Sequence, residues 1–266
     1  MTSPRVVLVT GGSRGIGAGI ARCFDGQGYT VVVCSRRPAQ VKVAQVKVGE
    51  VKVGEHIACD VRDPDQVESL IETIVERHGR LDAVINNAGG GPYALAADAG
   101  AALHRKIVDL NLLAPLTVAV AANAVMQKQE GGGAIVMISS VSGSRPSPGT
   151  AAYGAAKAGI DSLTGSLAVE WAPRVRINSI TLGMVRTESS AQHYGDEDTV
   201  AAIAATVPMG RLATPEDVGN AAYFLASPQA SYVSGSSLLL HGGGERPAFL
   251  AAGPEHDNAD TRVGQT

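Results

Sequence analysis

Short runs of consecutive β-branched and other aliphatic residues recur along this chain, separated by segments with helical apolar spacing. A run without polar alternation indicates a strand that is covered on both faces, which is typical of a parallel sheet between two layers of helices. The predicted strands are residues 5–10, 30–35, 83–86, 134–139, 176–181 and 237–240. The predicted helices are residues 16–27, 63–78, 101–129, 151–171 and 215–227. This order predicts an α/β fold with one doubly wound parallel sheet of about seven strands.

The composition is consistent with a single domain, which we place at residues 1–253. With 266 residues, of which 45% are apolar, the chain can fill a sizeable core. Residues 254–266 are polar and aperiodic, so we expect a flexible tail. Three near-identical pentads at residues 41–55 fit neither helical nor strand spacing, and we interpret them as a surface segment near the second strand. A cofactor contact by Lys42 is the alternative.

Charge and residue spacing argue against several other classes of protein. A formal net charge of −3 offers no general attraction to nucleic acid. No stretch reaches the ~18 apolar residues that a membrane span requires, so we expect a cytoplasmic protein without a membrane partner. The three cysteines form no CxxC pair, and the six histidines show no ligand spacing, so neither a disulfide framework nor a metal site is predicted.

A glycine-rich turn, Thr10-Gly11-Gly12-Ser13-Arg14-Gly15-Ile16-Gly17, joins the first predicted strand to the first helix. Glycines allow a tight turn and bring a pyrophosphate close to the amides of the helix N-terminus. A P-loop is disfavoured because GK[ST] is absent. A purely structural turn remains an alternative, as does a nucleophile elbow, because the turn contains the pattern GxSxG. The elbow is disfavoured because a hydrolase needs earlier strands before its serine.

If the glycine-rich turn binds a dinucleotide, the end of the second predicted strand indicates whether that dinucleotide is NAD(H) or NADP(H). In dinucleotide folds this position meets the adenosine ribose, with an acid for the NAD hydroxyl or a base for the NADP phosphate. Here the strand ends in Ser35-Arg36-Arg37 without a carboxylate. Ser35 and Arg36 can donate to a 2′-phosphate, and Arg14 adds a second positive charge. We therefore predict NADP(H), with NAD(H) as the alternative; the arginines could also be ordinary solvated residues.

Tyr153 and Lys157 form a candidate acid–base pair. Four residues apart on a predicted helix, they share one face. An isolated tyrosine has a pKa of about 10, and a neighbouring ammonium lowers it by favouring the phenolate. Ser140 lies at the carboxyl end of a predicted strand, where doubly wound folds place ligands. Ser139 points to the other face and is interpreted as structural.

These motifs together resemble the short-chain dehydrogenase/reductase family over about residues 5–244. The resemblance rests on TGGSRGIG, on Asn86-Asn87-Ala88-Gly89 and on the Ser140, Tyr153 and Lys157 set. It implies a Rossmann-type fold in which Ser140 orients a carbonyl, Tyr153 transfers a proton, and Lys157 binds the nicotinamide ribose. Asn111 matches the family asparagine that interrupts a helix and holds a water in a proton relay. Without the family, Asn111 would be a polar residue on an apolar helix.

The resemblance also implies a set of cofactor-binding residues. They are Gly11, Ser13, Arg14, Gly15, Ile16, Gly17, Ser35, Arg36, Arg37, Asp60, Val61, Asn87, Ala88, Gly89, Tyr153, Lys157, Gly183, Val185 and Thr187. Asp60 and the Val61 amide would contact adenine, although Asp60 could instead cap the next helix. The chain departs from the family at Leu182, where a proline is usual, and at His241, where an aspartate is common.

The activity that the resemblance implies is hydride transfer between NADP(H) and a ketone or secondary alcohol. The substrate would be a 3-oxoacyl thioester or a steroid-like ketone. The long apolar helices around residues 110–126 and 153–171 would pair subunits into a homotetramer, or a homodimer. A non-catalytic NADP(H)-binding sensor or scaffold is the alternative function, and the intact proton-transfer pair argues against it.

Overall fold

Seven parallel strands form one sheet in the computed structural model, which describes residues 4–37, 55–190 and 194–245. The strands are β1 (Val6–Thr10), β2 (Thr30–Ser35), β3 (Glu55–Ala58), β4 (Ala83–Asn86), β5 (Gly133–Ser140), β6 (Val175–Leu182) and β7 (Ser237–Leu240). Their order across the sheet is β3-β2-β1-β4-β5-β6-β7, and every neighbouring pair runs parallel. The predicted fold class is confirmed.

Helices cover both faces of this sheet. They are α1 (Gly15–Gly26), α2 (Pro64–His78), α3 (Ala101–Val108), α4 (Ala114–Met126), α5 (Ala151–Trp171), α6 (Glu197–Thr206) and α7 (Pro215–Ala226). Capping residues in the sequence determine where two of these helices begin and end. Asp63 caps α2 by accepting from two backbone amides, and Gly79 ends it in a left-handed conformation. Thr214 and Asp217 form a reciprocal capping box at the start of α7.

The core consists of two apolar layers, one on each face of the sheet. Successive residues of β1 alternate between them: Leu8 belongs to the layer formed with α2, α4 and α5. Val9 belongs to the layer formed with α1 and α7. Both side chains are fully buried. This double burial explains why the strand sequences are continuously apolar rather than alternating.

Three elements differ from the sequence-based prediction. The helix that apolar spacing predicts over residues 101–129 is divided by one π-helical turn at Asp109–Leu113, which contains Asn111, where the family resemblance implies an interruption. Strand β3 was not predicted because its EHIA sequence at the sheet edge lacks a β-branched run. Helix α6 was missed because only Val200 of its alanine-rich sequence is buried, so no apolar stripe marks it. Lys42, most of the pentad segment and the predicted tail lie outside the described residues.

One helical segment, Ala101–Met126, is long and apolar enough to cross a membrane by length and composition. Our expectation that no stretch would reach this length was wrong for this segment. A core helix of a water-soluble protein meets the same criterion. Val118, Ala122 and Met126 are fully buried in one of the two apolar layers.

Candidate active site

A cleft of about 840 Å³ opens at the carboxyl ends of the strands. It lies where the strand order reverses between β1 and β4, which is the usual ligand position in doubly wound sheets. All predicted site residues line this cleft except Arg37 and Asn111. The fold therefore brings together residues that are separated by up to about 175 positions in the chain.

The glycine turn is held against β4 by a specific set of hydrogen bonds. The Thr10 hydroxyl accepts from the amides of Asn87 and Ala88, both at 3.0 Å. The Asn87 side-chain amide donates to the carbonyls of Thr10 and Gly11, at 2.9 and 3.3 Å. A Cβ on Gly17 would lie 2.3 Å from the Gly11 carbonyl oxygen, so only glycine fits. Thr10 is a site residue that we did not predict, although it begins the recognised motif.

At the end of β2, basic groups outnumber acidic ones. Arg36 is exposed and lines the cleft, whereas Arg37 is exposed but does not line it. Asp60 accepts two side-chain hydrogen bonds from Arg62, at 2.9 and 2.5 Å. These bonds hold the pKa of Asp60 below its usual range. Arg62 also lines the cleft and was not predicted, because only the folded chain brings it to the same end of the cleft as Arg36.

The Ser35 hydroxyl is already engaged within the protein. It donates to the Arg37 carbonyl at 2.6 Å and lies 2.8 Å from Nε2 of His56. A phosphate contact by this hydroxyl therefore requires it to turn away from Arg37. Val61 is buried and lines the same end of the cleft.

The candidate catalytic side chains meet at the other end of the cleft. Lys157 is almost fully buried, and its Nζ donates to the Ile138 carbonyl at 2.8 Å. The same nitrogen lies 5.5 Å from the centre of the Tyr153 ring. Ser140, at the end of β5, is placed as a hydrogen-bond partner for the Tyr153 side chain. Ser139 instead donates to the Lys157 carbonyl at 3.2 Å, in agreement with its structural interpretation.

Burial dominates the protonation of this pair. It lowers the pKa of Lys157 to about 8, against a smaller opposing effect of Asp161. It raises the pKa of Tyr153, while the Ser140 hydrogen bond acts in the opposite direction. Desolvation therefore outweighs the lowering that we expected from the neighbouring ammonium. Tyr153 is a neutral phenol near pH 7, and Lys157 is mostly charged there.

Asn111 lies behind the cleft, within the π-helical turn. Its Oδ1 accepts from the Gly90 amide at 2.7 Å, and its Nδ2 donates to the carbonyls of Gly90 and Ile107. A Cβ on Gly89 would lie 2.8 Å from this Oδ1 and 3.4 Å from Nζ of Lys157. Asn111 therefore positions the Gly89–Gly90 backbone close to the lysine. Its role in a water relay stays a prediction.

The segment after β6 forms the remaining wall. Gly183, Val185 and Thr187 line the cleft as predicted, and Leu182 is buried at the end of β6. Glu188, which we did not predict, accepts a hydrogen bond of 2.7 Å from the Gly15 amide. Leu182, where the family usually has a proline, also lines the cleft. His241 lines a separate cavity of about 240 Å³.

The glycine turn, residues 11–17, forms a phosphate cradle at one end of the cleft, and a half-buried tyrosine beside a buried lysine lies at the other. Together they define an NAD(P)-dependent oxidoreductase. A family model described as "Enoyl-(Acyl carrier protein) reductase" matches residues 11–245. The chain belongs to the short-chain dehydrogenase/reductase family.

Two curated relatives illustrate this membership. Oxidoreductase UcpA of Escherichia coli (strain K12) is 37% identical over 262 residues, which cover 94% of this chain and 97% of the relative. Dehydrogenase/reductase SDR family member 4 of Homo sapiens is 34% identical over 242 residues, which cover 90% of this chain and 87% of the relative.

Solved structures show the same fold. The ligand-free aldohexose dehydrogenase of Thermoplasma acidophilum superimposes with a TM-score of 0.81 at 31% identity, over 91% of this chain and 94% of that one. The structure of ElxO with NADP bound superimposes with a TM-score of 0.83 at 32% sequence identity. The match covers 90% of this chain and 98% of the ElxO chain. The sequence-based family resemblance is confirmed.

Proposed function

We propose that this enzyme prefers NADP(H) and transfers hydride between its nicotinamide and a ketone or secondary alcohol. The observation that carries the proposal is the position of Tyr153, Lys157 and Ser140 in the same cleft as the glycine turn. A protein that only binds the cofactor has no need of a buried proton-transfer pair.

The cleft fits a dinucleotide because its glycines leave the backbone accessible and α1 begins there. When bound, NADP(H) supplies or accepts the hydride. In the reductive direction, the Ser140 hydroxyl orients the substrate carbonyl oxygen, and the Tyr153 phenol gives that oxygen its proton. The Lys157 ammonium holds the nicotinamide ribose and favours the phenolate left behind. Asn111 keeps the backbone beside Lys157 in place.

The preference for NADP(H) rests on charge at the end of β2. Arg36 and Arg62 line this end of the cleft with Asp60 as the nearby acid, and Arg14 stands in the glycine turn. This balance favours the additional phosphate of NADP(H), and guanidinium matches phosphate geometry. We assign Asp60 and Val61 to the adenine side, and Gly183, Val185 and Thr187 to the nicotinamide side.

The substrate that we propose is a 3-oxoacyl thioester or a steroid-like ketone. Leu110, Met184 and Tyr194 add apolar surface to the cleft wall, which suits a long or bulky carbonyl compound. The family model is described as an "Enoyl-(Acyl carrier protein) reductase", which is consistent with an acyl thioester but names a carbon–carbon double bond rather than a ketone as the reduced group. We also propose that the enzyme is a homotetramer and that it acts in the cytoplasm.

The decisive assay follows nicotinamide absorbance with purified protein, NADPH or NADH, and a panel of 3-oxoacyl thioesters, steroid ketones and small ketones. We expect oxidation of NADPH with at least one of these carbonyl classes, and slower oxidation of NADH. Tight NADPH binding without turnover of any carbonyl in the panel would instead support the sensor or scaffold function.

A further inference from the structure

The N-terminus of α1 receives its cap from a distant part of the chain. Arg14, which precedes α1, makes no side-chain hydrogen bond to the helix, and the first turn contains no acidic residue. The Gly15 amide donates instead to Oε1 of Glu188, at 2.7 Å. A carboxylate is favourable there because the free amides and the helix dipole attract negative charge.

Glu188 is presented to α1 by an ordered turn. The Thr187 amide donates to the Ser190 hydroxyl at 2.7 Å, and the Ser190 amide donates to the Thr187 carbonyl at 3.0 Å. Ser190 is buried, so this turn is anchored in the protein. A Cβ on Gly15 would be in ordinary contact with the Thr187 side chain, at 3.7 Å. The carboxylate of Glu188 is therefore placed over the phosphate cradle.

We propose that Glu188 is an internal competitor of the cofactor diphosphate: its carboxylate binds the Gly15 amide in the free enzyme and leaves when the cofactor binds. This inference rests on the proposed function. The amide that caps a helix and the amide that binds a phosphate are the same donor, so the two anions exclude each other. Two anions at one helix N-terminus also repel.

The consequence is that Glu188 sets the affinity for the cofactor. An interaction made only in the free enzyme stabilises that state and weakens binding by the same free energy. Weaker binding favours release of the spent cofactor, and product release limits turnover in many enzymes. Glu188 thus acts on coenzyme exchange without touching the reacting atoms.

The test compares Glu188→Gln and Glu188→Asp with the wild type, measuring the Kd for NADPH by fluorescence and the thermal midpoint with and without saturating NADPH. For Glu188→Gln we expect about three- to tenfold tighter NADPH binding. Its midpoint without NADPH should fall by about 2–4 °C. The midpoint with NADPH should stay at the wild-type value, because the contact is absent from the complex.

Two variants separate this competition from a general charge effect. Glu188→Asp keeps the charge but is one methylene shorter, so it should lose the contact and also bind NADPH more tightly. Asp198→Asn removes an exposed charge from the first turn of α6 and should leave NADPH affinity unchanged.

Unchanged or weaker NADPH binding by Glu188→Gln would overturn the inference and make Glu188 a cap that stays in place. Equal tightening by Asp198→Asn would also overturn it. A wild-type protein that binds neither NADPH nor NADH would overturn the proposed function as well.

Discussion

At the residue scale, the chemistry of this enzyme depends on which proton carriers the protein buries. Tyr153 and Lys157 are both enclosed, so desolvation favours the neutral form of each. For the tyrosine this preserves the proton that a carbonyl reduction consumes. For the lysine it places the loss of charge near pH 8 rather than above 10.

Tyr153→Phe removes the hydroxyl and keeps the ring that Lys157 faces. We expect NADPH affinity to stay within about twofold and turnover to fall by a factor of about 10² to 10⁴, the usual contribution of general acid catalysis. NADPH fluorescence and steady-state absorbance measure the two quantities. Full activity in this variant would remove the acid–base assignment of Tyr153.

Lys157 makes the stability of the free enzyme depend on pH. Its pKa is lowered to about 8 in the folded protein, whereas the unfolded chain keeps this proton up to its ordinary value of 10.5. Between these values the unfolded state binds more protons, so the free energy of unfolding rises with pH, by at most about 1.4 kcal/mol per unit. Urea unfolding at pH 8, 9 and 10 should show this slope relative to Lys157→Met. If the free energy of unfolding depends on pH in the same way in the wild type and in Lys157→Met, this prediction is wrong.

Arg36→Asp reverses the charge at the end of β2. A carboxylate there repels a 2′-phosphate and can accept from a ribose hydroxyl, so we expect the kcat/KM ratio of NADPH to NADH to fall by tenfold or more. Arg37→Asp is the matched control, because Arg37 does not line the cleft. An unchanged ratio in Arg36→Asp would refute the phosphate contact.

At the element scale, the close packing of α1 on α7 supports the phosphate-binding end of the cleft. Gly19 of α1 lies against Pro215, the first residue of α7, which lies between the two residues of the capping box. Gly219 of α7 likewise lies against Cys23 of α1. Small residues on both helices allow this approach, so the position of the glycine turn depends on α7 as well as on β1.

Gly19→Ala should destabilise the protein by about 1–3 kcal/mol, because its Cβ would lie 2.2 Å from Cβ of Pro215. Gly26→Ala is the control within the same helix, since a Cβ there meets nothing within 4 Å. It should be neutral or stabilise by up to about 1 kcal/mol. Urea unfolding of both variants measures the difference. Equal stabilities would show that the two helices can move apart without cost.

At the scale of the whole molecule, α4, α5 and the π-helical turn each carry exposed apolar side chains. Val169 is 83% exposed and Val120 is 51% exposed, while Leu113 in the π-helical turn is 49% exposed. The π-helical turn also packs against α5. An apolar surface of this kind is typical of a subunit interface, which supports the proposed homotetramer.

Light scattering after gel filtration should give about four times the chain mass of 27.2 kDa. Val120→Lys combined with Val169→Lys should produce a smaller species, because it places charges in the interface. Leu95→Lys, at an exposed apolar residue outside both helices, is the control. A monomeric wild type would contradict the tetramer.

The parallel sheet, the glycine turn and the tyrosine–lysine pair could be predicted from residue order, because each is encoded over short distances. Buried strands require continuous apolar runs, and a helix places residues four positions apart on one face. The Glu188–Gly15 contact, Arg62 beside Arg36, and the raised pKa of Tyr153 could not be predicted. They arise from segments distant in sequence and from the exclusion of water between them, which exist only once the chain has folded.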